Sequence, residues 1–366
     1  MKFTEIIKID DNVVPMQNRL LCNREPIFIW GTGALARNVY QYCKYYGIRL
    51  NGCFVNICNL ENRCFEDLPV YLISEVIEQY NSFNVIIGHS EYADGIEYLK
   101  KIENVKEVFC ITNICCKVWN NISPDFIKEN GSNLNECYDS LGDIWSKKCL
   151  ESYFNSRIND NAEYMFPYYK KGIDYYHNDI VHLTNSETLL DIGACVGDAI
   201  WPFVKEVNNK YNAIIALEPE EENYEILKEN IRSHGIENIV LKKVCAYDRD
   251  GYAKFVGDKE QGGIVLNTNS EYTLYPTVKI DSLQQDTDAA KNISIIKINF
   301  PFSVPEILKG ASNLLKNRKP KIIIRIGFNE NVLVQTYLTI KEINPSYKFF
   351  LRYSIGIPQG LTMFAI

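Results

Sequence analysis

The chain is poor in histidine and in the closely paired cysteines that build metal centres and redox pairs. Its 366 residues include only four histidines, His89, His177, His182 and His234, and its twelve cysteines form no CxxC pair. Metal sites draw on tighter cysteine pairs and on histidine. Cys53, Cys58 and Cys64 come closest to a cluster, with Cys115 and Cys116 adjacent further on, and no metal is expected. The start, MKFTEIIKIDDN, is too polar for a signal peptide, so a cytoplasmic location with free thiols is expected. No apolar window of about 18 residues is present to span a membrane. The apolar tail FFLRYSIGIPQGLTMFAI is broken by Arg352, Pro358 and two glycines. Nor is there a dominant basic patch. A net charge of −7 argues against nucleic acid as a partner, because phosphate binding needs a basic face. The group Lys316, Arg318, Lys319 and Lys321 reads as a solvated loop. Low-complexity runs and internal repeats are absent.

What remains is a chain long enough for two domains, with 46% hydrophobic residues to fill two cores. Its texture suggests an α/β domain over residues 1–118, a helical linker or lid over 119–180 and a second α/β domain over 181–366. The linker is rich in Asn, Tyr and charge. Its stretch 141–160 reads as one amphipathic helix with Leu141, Ile144, Trp145, Leu150 and Phe154 on the apolar face. Tyr168, Tyr169, Tyr175 and Tyr176 follow, placed either to fold over a ligand as a lid or to pack a domain junction.

The densest signal is TLLDIGACVGDAIWPFV, residues 188–204, followed by AIIALEPEEENYEIL, residues 213–227. An apolar strand ends in Asp191, Gly193 and Gly197 follow, a helix opens at Asp198, and a second strand ends in Glu218. Strand, glycine turn, helix, strand and acid is the layout of a nucleotide-binding βαβ unit. A pyrophosphate would sit at the helix N-terminus. Here Asp191 and Asp198 would repel it by roughly 1 kcal/mol or more each. The same acids suit a ligand with a positive centre and no phosphate, S-adenosylmethionine, with Glu218 placed for the ribose hydroxyls and the glycines allowing close approach of the methionine part.

Further strands are expected at 213–218, 239–246, 294–300 and 320–326, and helices at 221–234, 304–316 and 331–343. Near-continuous Ile/Val/Leu runs mark a parallel sheet buried on both faces. The last two apolar segments, 347–354 and 361–366, flank the turn Gly356-Ile357-Pro358-Gln359-Gly360, so they form an antiparallel pair.

Residues from about 186 to 354 resemble the FkbM family of methyltransferases, on LLDIGACVGDAIWPF, ALEPEEENYEILKENI, TVKIDSL, IIKI with EILKGA, and YKFFLRYS. The resemblance implies a class I, Rossmann-like S-adenosylmethionine-dependent methyltransferase sheet ending in an antiparallel pair, preceded by a smaller Rossmann-like domain. It also implies O-methylation of a hydroxylated small molecule, such as a sugar or glycan precursor; a homo-oligomer stays open, and the lack of a long apolar window argues against a membrane partner. On this reading Asp191, Gly193, Ala194 and Gly197 shape the methionine pocket, Glu218 holds the ribose, and Ala246 and Tyr247 border the adenine. The acceptor edge departs from the family form IKxDxEGAE: Asn299, Pro301, Phe302 and Val304 replace acid, acid, glycine and acid. Ile326 and Gly327 stand where longer members carry a His. Asn299 can orient a hydroxyl but cannot take its proton. Asp281 is the acid left in a family-like position, with helix capping at Ser282 as its alternative role.

A second glycine turn, Gly31-Thr32-Gly33-Ala34-Leu35-Ala36, follows the strand PIFIW and forms a GxGxxA pattern. It makes Gly31, Gly33 and Ala36 a candidate second nucleotide site, although Asn56 replaces the acid expected to hold a ribose, and packing or acceptor recognition would serve equally. Two other functional classes stay open: a non-catalytic S-adenosylmethionine-binding scaffold or sensor, and a nucleotide-dependent enzyme centred on GTGALA.

Overall fold

The computed structural model describes residues 2–10, 12–56, 63–112, 121–257, 262–265, 272–300, 303–354 and 360–366. The chain forms two compact units. One is built from Met1–Gly131 and Lys148–Tyr169, the other from Ser132–Lys147, Lys170–Ile355 and Gly360–Ile366. The stretch expected as a separate linker is therefore shared out between them. No helix of the described residues is long and apolar enough to cross a membrane.

The first unit holds β1 (Ile27–Trp30), β2 (Gly52–Val55), β3 (Cys64–Phe65), β4 (Leu68–Leu72), β5 (Phe83–Ile87) and β6 (Val105–Phe109), in the order β3-β4-β2-β1-β5-β6. All pairs are parallel except β3–β4. The strand order reverses between β1 and β5, so the first glycine turn lies at the switch point of an α/β sheet. Ile27 and Ile29 pack on Ala36, Val39, Tyr40 and Cys43 of the helix Ala34–Tyr46. The pair β3–β4 has no counterpart in the sequence reading; β3 has only two residues, too few to show a period, and β4 carries Pro69 in its five.

The helix Ile144–Ile158 differs from the amphipathic expectation. Ile144 is 69% exposed, whereas Ser152, Asn155, Ser156 and Arg157 are buried. Its Asn155, and Asn159 and Asp160 just beyond its end, bind backbone. Asn155 Oδ1 accepts from Lys8 N at 2.7 Å, Asn159 Nδ2 donates to Lys8 O at 2.7 Å, and Asp160 Oδ2 accepts from Met16 N. Buried polar groups persist where such partners exist.

The second unit holds β7 (Thr188–Ile192), β8 (Ala213–Leu217), β9 (Ile239–Lys242), β10 (Cys245–Ala246), β11 (Gly251–Gly257), β12 (Gly262–Val265), β13 (Thr273–Val278), β14 (Ile295–Ile298), β15 (Lys321–Arg325), β16 (Phe349–Tyr353) and β17 (Leu361–Ala365). Seven of them form a sheet in the order β16-β17-β15-β14-β7-β8-β9. It is parallel except that β17 runs antiparallel to both β15 and β16, as the closing pair required. The turn 356–360 expected between them lies largely outside the described residues. A four-stranded sheet, β10-β13-β11-β12, stands apart. The single strand expected at 239–246 is thus two, β9 in one sheet and β10 in the other.

Side chains on β7, β8, β14 and β15, Leu189, Ile214, Ile295 and Ile323 among them, are buried with Ile200 and Phe203 of the helix Ile200–Glu206. The helix expected over 304–316 breaks into Val304–Lys309 and Ser312–Asn317 at Gly310, whose carbonyl accepts from Asp281 N and where any Cβ would collide with the Tyr247 carbonyl. At the N-terminal ends of the strands, Glu187 accepts from Lys321 Nζ at 2.8 Å and from Ser294 Oγ, fastening β7, β14 and β15 together. Arg352 on β16 is buried and binds Asp143, Ser146 and Asp179, which ties the 143–146 segment and the approach to β7 to the sheet edge.

Candidate active site

β7 lies between β14 and β8 in a sheet whose order reverses there, and the loop leaving its carboxyl end is where such folds bind ligands. Gly193 has φ +69°, and a Cβ on it would stand 2.8 Å from the Asn299 carbonyl oxygen. Gly197 has φ +96° and packs against Leu227 and Trp201. Both positions demand glycine, for conformation and for space. The loop is bound to the tip of β8: Gly193 N and Ala194 N donate to Leu217 O, and Cys195 N donates to Glu218 Oε2 at 2.8 Å. The helix starts at Ile200, two residues later than expected, after turns through Asp198 and Ala199. Asp198 is exposed at that mouth. Cys195 has φ +50°, and burial, then Asp198 and Glu218, push its thiol up to about 11, so it stays protonated.

Glu218 follows β8 and is 5% exposed. Its Oε1 accepts from Glu220 N at 3.0 Å and its Oε2 from Cys195 N. Burial raises its carboxyl above the usual range, against these two amide bonds. Each oxygen keeps a free lone pair, which leaves capacity for a vicinal diol. Ala246 and Tyr247 are buried, and Tyr247 N donates to Val278 O at 3.0 Å. The Arg249 guanidinium lies 5.3 Å from the centroid of the Tyr247 ring.

Asp191 is not open to a ligand. It is 0% exposed and faces the equally buried Lys297 Nζ at 2.8 Å. Burial pushes its carboxyl up despite Lys297. Lys297 is held as an ammonium because Asp191, then Tyr175 and Asp198, outweigh its own burial. The sequence reading passed over Lys297. The signal was present, since a lysine inside IIKI, a strand buried on both faces, requires a buried partner.

The acceptor residues separate. Asn299 is half-buried at the tip of β14, its N donating to Ile192 O at 3.1 Å. Asp281 does not cap a helix beginning at Ser282, since its helix spans Ile280–Asp286. Its two oxygens accept from Asn313 N and Leu314 N, each at 2.9 Å, so it caps the helix Ser312–Asn317. Pro301 and Phe302 lie outside the described residues. Ile326 N and Gly327 N both donate to Leu361 O at the β17 end. Tyr175 and Tyr176 are buried in the core of this unit, with Tyr176 edge-on to Phe203, so they are packed and not poised as a lid. Tyr169 belongs to the first unit, where its hydroxyl donates to Glu91.

In the first unit, Gly31 has φ +116°, a Cβ there would stand 3.3 Å from Gly88 O, and a Cβ on Gly88 would meet Ala36 at 2.8 Å. Close packing therefore accounts for Gly31 and Ala36. Gly33, at φ −85°, has open space around its missing side chain. Arg37 pairs with Glu66, and Asn56 is exposed. Among the described residues, no group of three or more His, Cys, Asp or Glu could hold a metal ion.

Residues 191–350 match the family model described as methyltransferase FkbM domain. The crystal structure of the methyltransferase FkbM from Methylobacillus flagellatus is similar to this chain at a TM-score of 0.69 and 15% identity, covering 100% of this chain and 97% of that one. A precorrin-6y C5,15-methyltransferase from Geobacter metallireducens reaches a TM-score of 0.33 at 12% identity, over 50% of this chain and 80% of its own. A putative tRNA (m1A22) methyltransferase from Streptococcus pneumoniae reaches 0.32 at 14% identity, over 50% of this chain and 64% of its own. None of the curated proteins matches. Residues 191–350 of this chain are thus similar to the FkbM methyltransferase domain.

Proposed function

We propose that the second unit binds S-adenosylmethionine and transfers its methyl group to a hydroxyl of a small molecule, a sugar or glycan precursor being the class in view. The observation that carries this reading is the carboxylate set at the switch point. Glu218, with one lone pair free on each oxygen, adjoins a glycine loop whose exposed charge is Asp198. Lys297, whose Nζ lies 3.4 Å from the Gly193 carbonyl, is already paired with Asp191. Such a donor set fits a diol and a sulfonium and disfavours a pyrophosphate. Gly193, Ala194 and Gly197 would shape the methionine end, Glu218 would hold the ribose, and Ala246 and Tyr247 would border the adenine. Bound there, the sulfonium supplies an activated methyl group, and the protein's task is alignment of the acceptor oxygen with it. Asn299, as a neutral amide, orients the hydroxyl without taking its proton.

One observation favours a second reading, a non-catalytic S-adenosylmethionine-binding scaffold: Asp281, the acid expected at the acceptor side, is committed to a helix cap. Methyl transfer to a panel of sugars and polyols, read as S-adenosylhomocysteine release, separates the two. Turnover with any acceptor supports the enzyme. Binding of cofactor without turnover on the whole panel, by wild type and by Asn299→Asp, supports the scaffold. A thermal-shift screen in which NAD or a nucleotide sugar stabilises the protein and S-adenosylhomocysteine does not would sink both.

A further inference from the structure

Lys297 and Asp191 face each other in register on the adjacent parallel strands β14 and β7. Both are wholly buried, and the Lys297 ammonium lies 2.8 Å from Asp191 Oδ1 and 3.4 Å from the Gly193 carbonyl. The cluster is poorly satisfied. Among the described residues neither Asp191 oxygen completes a well-directed hydrogen bond, although Oδ1 stands at ion-pair distance from Lys297. The hydroxyls of the buried Tyr175 and Tyr176 have no partner among the described residues, and the Tyr175 ring centroid is 5.6 Å from the ammonium. Desolvating two ions is costly, and well-packed apolar replacements of buried pairs are often as stable or more so. Stability is thus a poor explanation for the pair. No ligand can touch it either, so any service to the site is indirect.

Its position supplies that service. The ammonium reaches the first residue of the glycine loop from the β14 side, while Gly193 N and Ala194 N are held by Leu217 O on the β8 side. Gly193 has no side chain to fix its backbone, and two residues later Cys195 N must meet Glu218.

We propose that the Asp191–Lys297 ion pair positions the glycine loop for cofactor binding, with Lys297 as a positioning residue. This rests on the S-adenosylmethionine reading above. The test is the double variant Asp191→Leu/Lys297→Met in the full chain, followed by its melting temperature, calorimetric affinity for S-adenosylhomocysteine, and hydrogen exchange of residues 193–197. The expected result is a melting temperature at or above wild type, with affinity reduced about tenfold or more and faster exchange in the loop. Wild-type affinity and wild-type exchange in the folded double variant overturn the proposal. If that variant does not fold, Asp191→Asn/Lys297→Gln, which removes both charges and keeps the shape, is measured with the same two outcomes. Wild-type protein that binds no S-adenosylhomocysteine defeats the cofactor reading, and loop exchange still decides whether the pair anchors the loop.

Discussion

The molecule carries two glycine turns written in the same grammar, and they solve different problems. In the first, Gly31 and Ala36 are explained by the close approach of Gly88, and the turn contains no acid. In the second, Gly193 and Gly197 also have packing reasons, but the loop between them is bonded through Cys195 N to a carboxylate on the next strand tip. A glycine pattern by itself reports only that a helix and a strand approach closely. The acids around it, and what those acids touch, distinguish a packing turn from a ligand loop.

The comparison breaks most readily at the glycines. Gly193→Ala adds a Cβ at 2.8 Å from the Asn299 carbonyl oxygen on a backbone at φ +69°. It should cost about 3 kcal/mol, as left-handed strain and overpacking together predict, and equilibrium urea unfolding reads it directly. A loss under about 1 kcal/mol would show that the loop can shift.

A smaller effect belongs to the strand ends beneath the second loop. Burial alone would raise the Glu187 carboxyl, but hydrogen bonds from Lys321 and Ser294 outweigh it and hold it below the usual range. A carboxyl depressed in the folded state adds stability that is fully present above the unfolded value, about 4.3, and is lost as pH falls through the lower folded value. Stability measured against pH should therefore drop below about pH 4.3 in wild type. Lys321→Met should flatten that part of the curve, and an unchanged curve would remove the ion pair from the account.

The smallest effect is expected in the first turn. Gly33 has φ −85° and open space, and it occupies the N-cap of the helix Ala34–Tyr46. Aspartate is a favoured cap there, so Gly33→Asp should change stability by no more than about 0.5 kcal/mol. It should leave S-adenosylhomocysteine affinity untouched. Loss of that affinity in a folded variant would mean that the two turns do not divide the work as described.

Much of the second unit was legible because burial imposes periodicity. The run from Thr188 to Asp191 and those at 213–218 and 320–326 read as strands, and the final antiparallel pair followed from its short connection. The helix break at Gly310 was not legible, because the groups that meet Gly310, the Tyr247 carbonyl and the Asp281 amide, lie far away in the chain. Ile144 misled because an apolar residue can stay in water, whereas Asn155 and Asp160 are buried by bonds to distant backbone that no local pattern encodes. At the site, the order acid, glycines and second acid was readable, but roles were not. Asp191 looked like a ligand contact and is paired inside the protein; Asp281 looked like an acceptor-side acid and caps a helix.

The central claim is that Glu218 and the loop it holds form a cofactor site for S-adenosylmethionine. Isothermal titration of S-adenosylhomocysteine into wild type and Glu218→Ala tests it most directly. The account predicts binding by wild type and a loss of about 1–3 kcal/mol in the folded variant, from charge-assisted bonds to the ribose. Absence of binding to wild type, or equal affinity in both proteins, would contradict it.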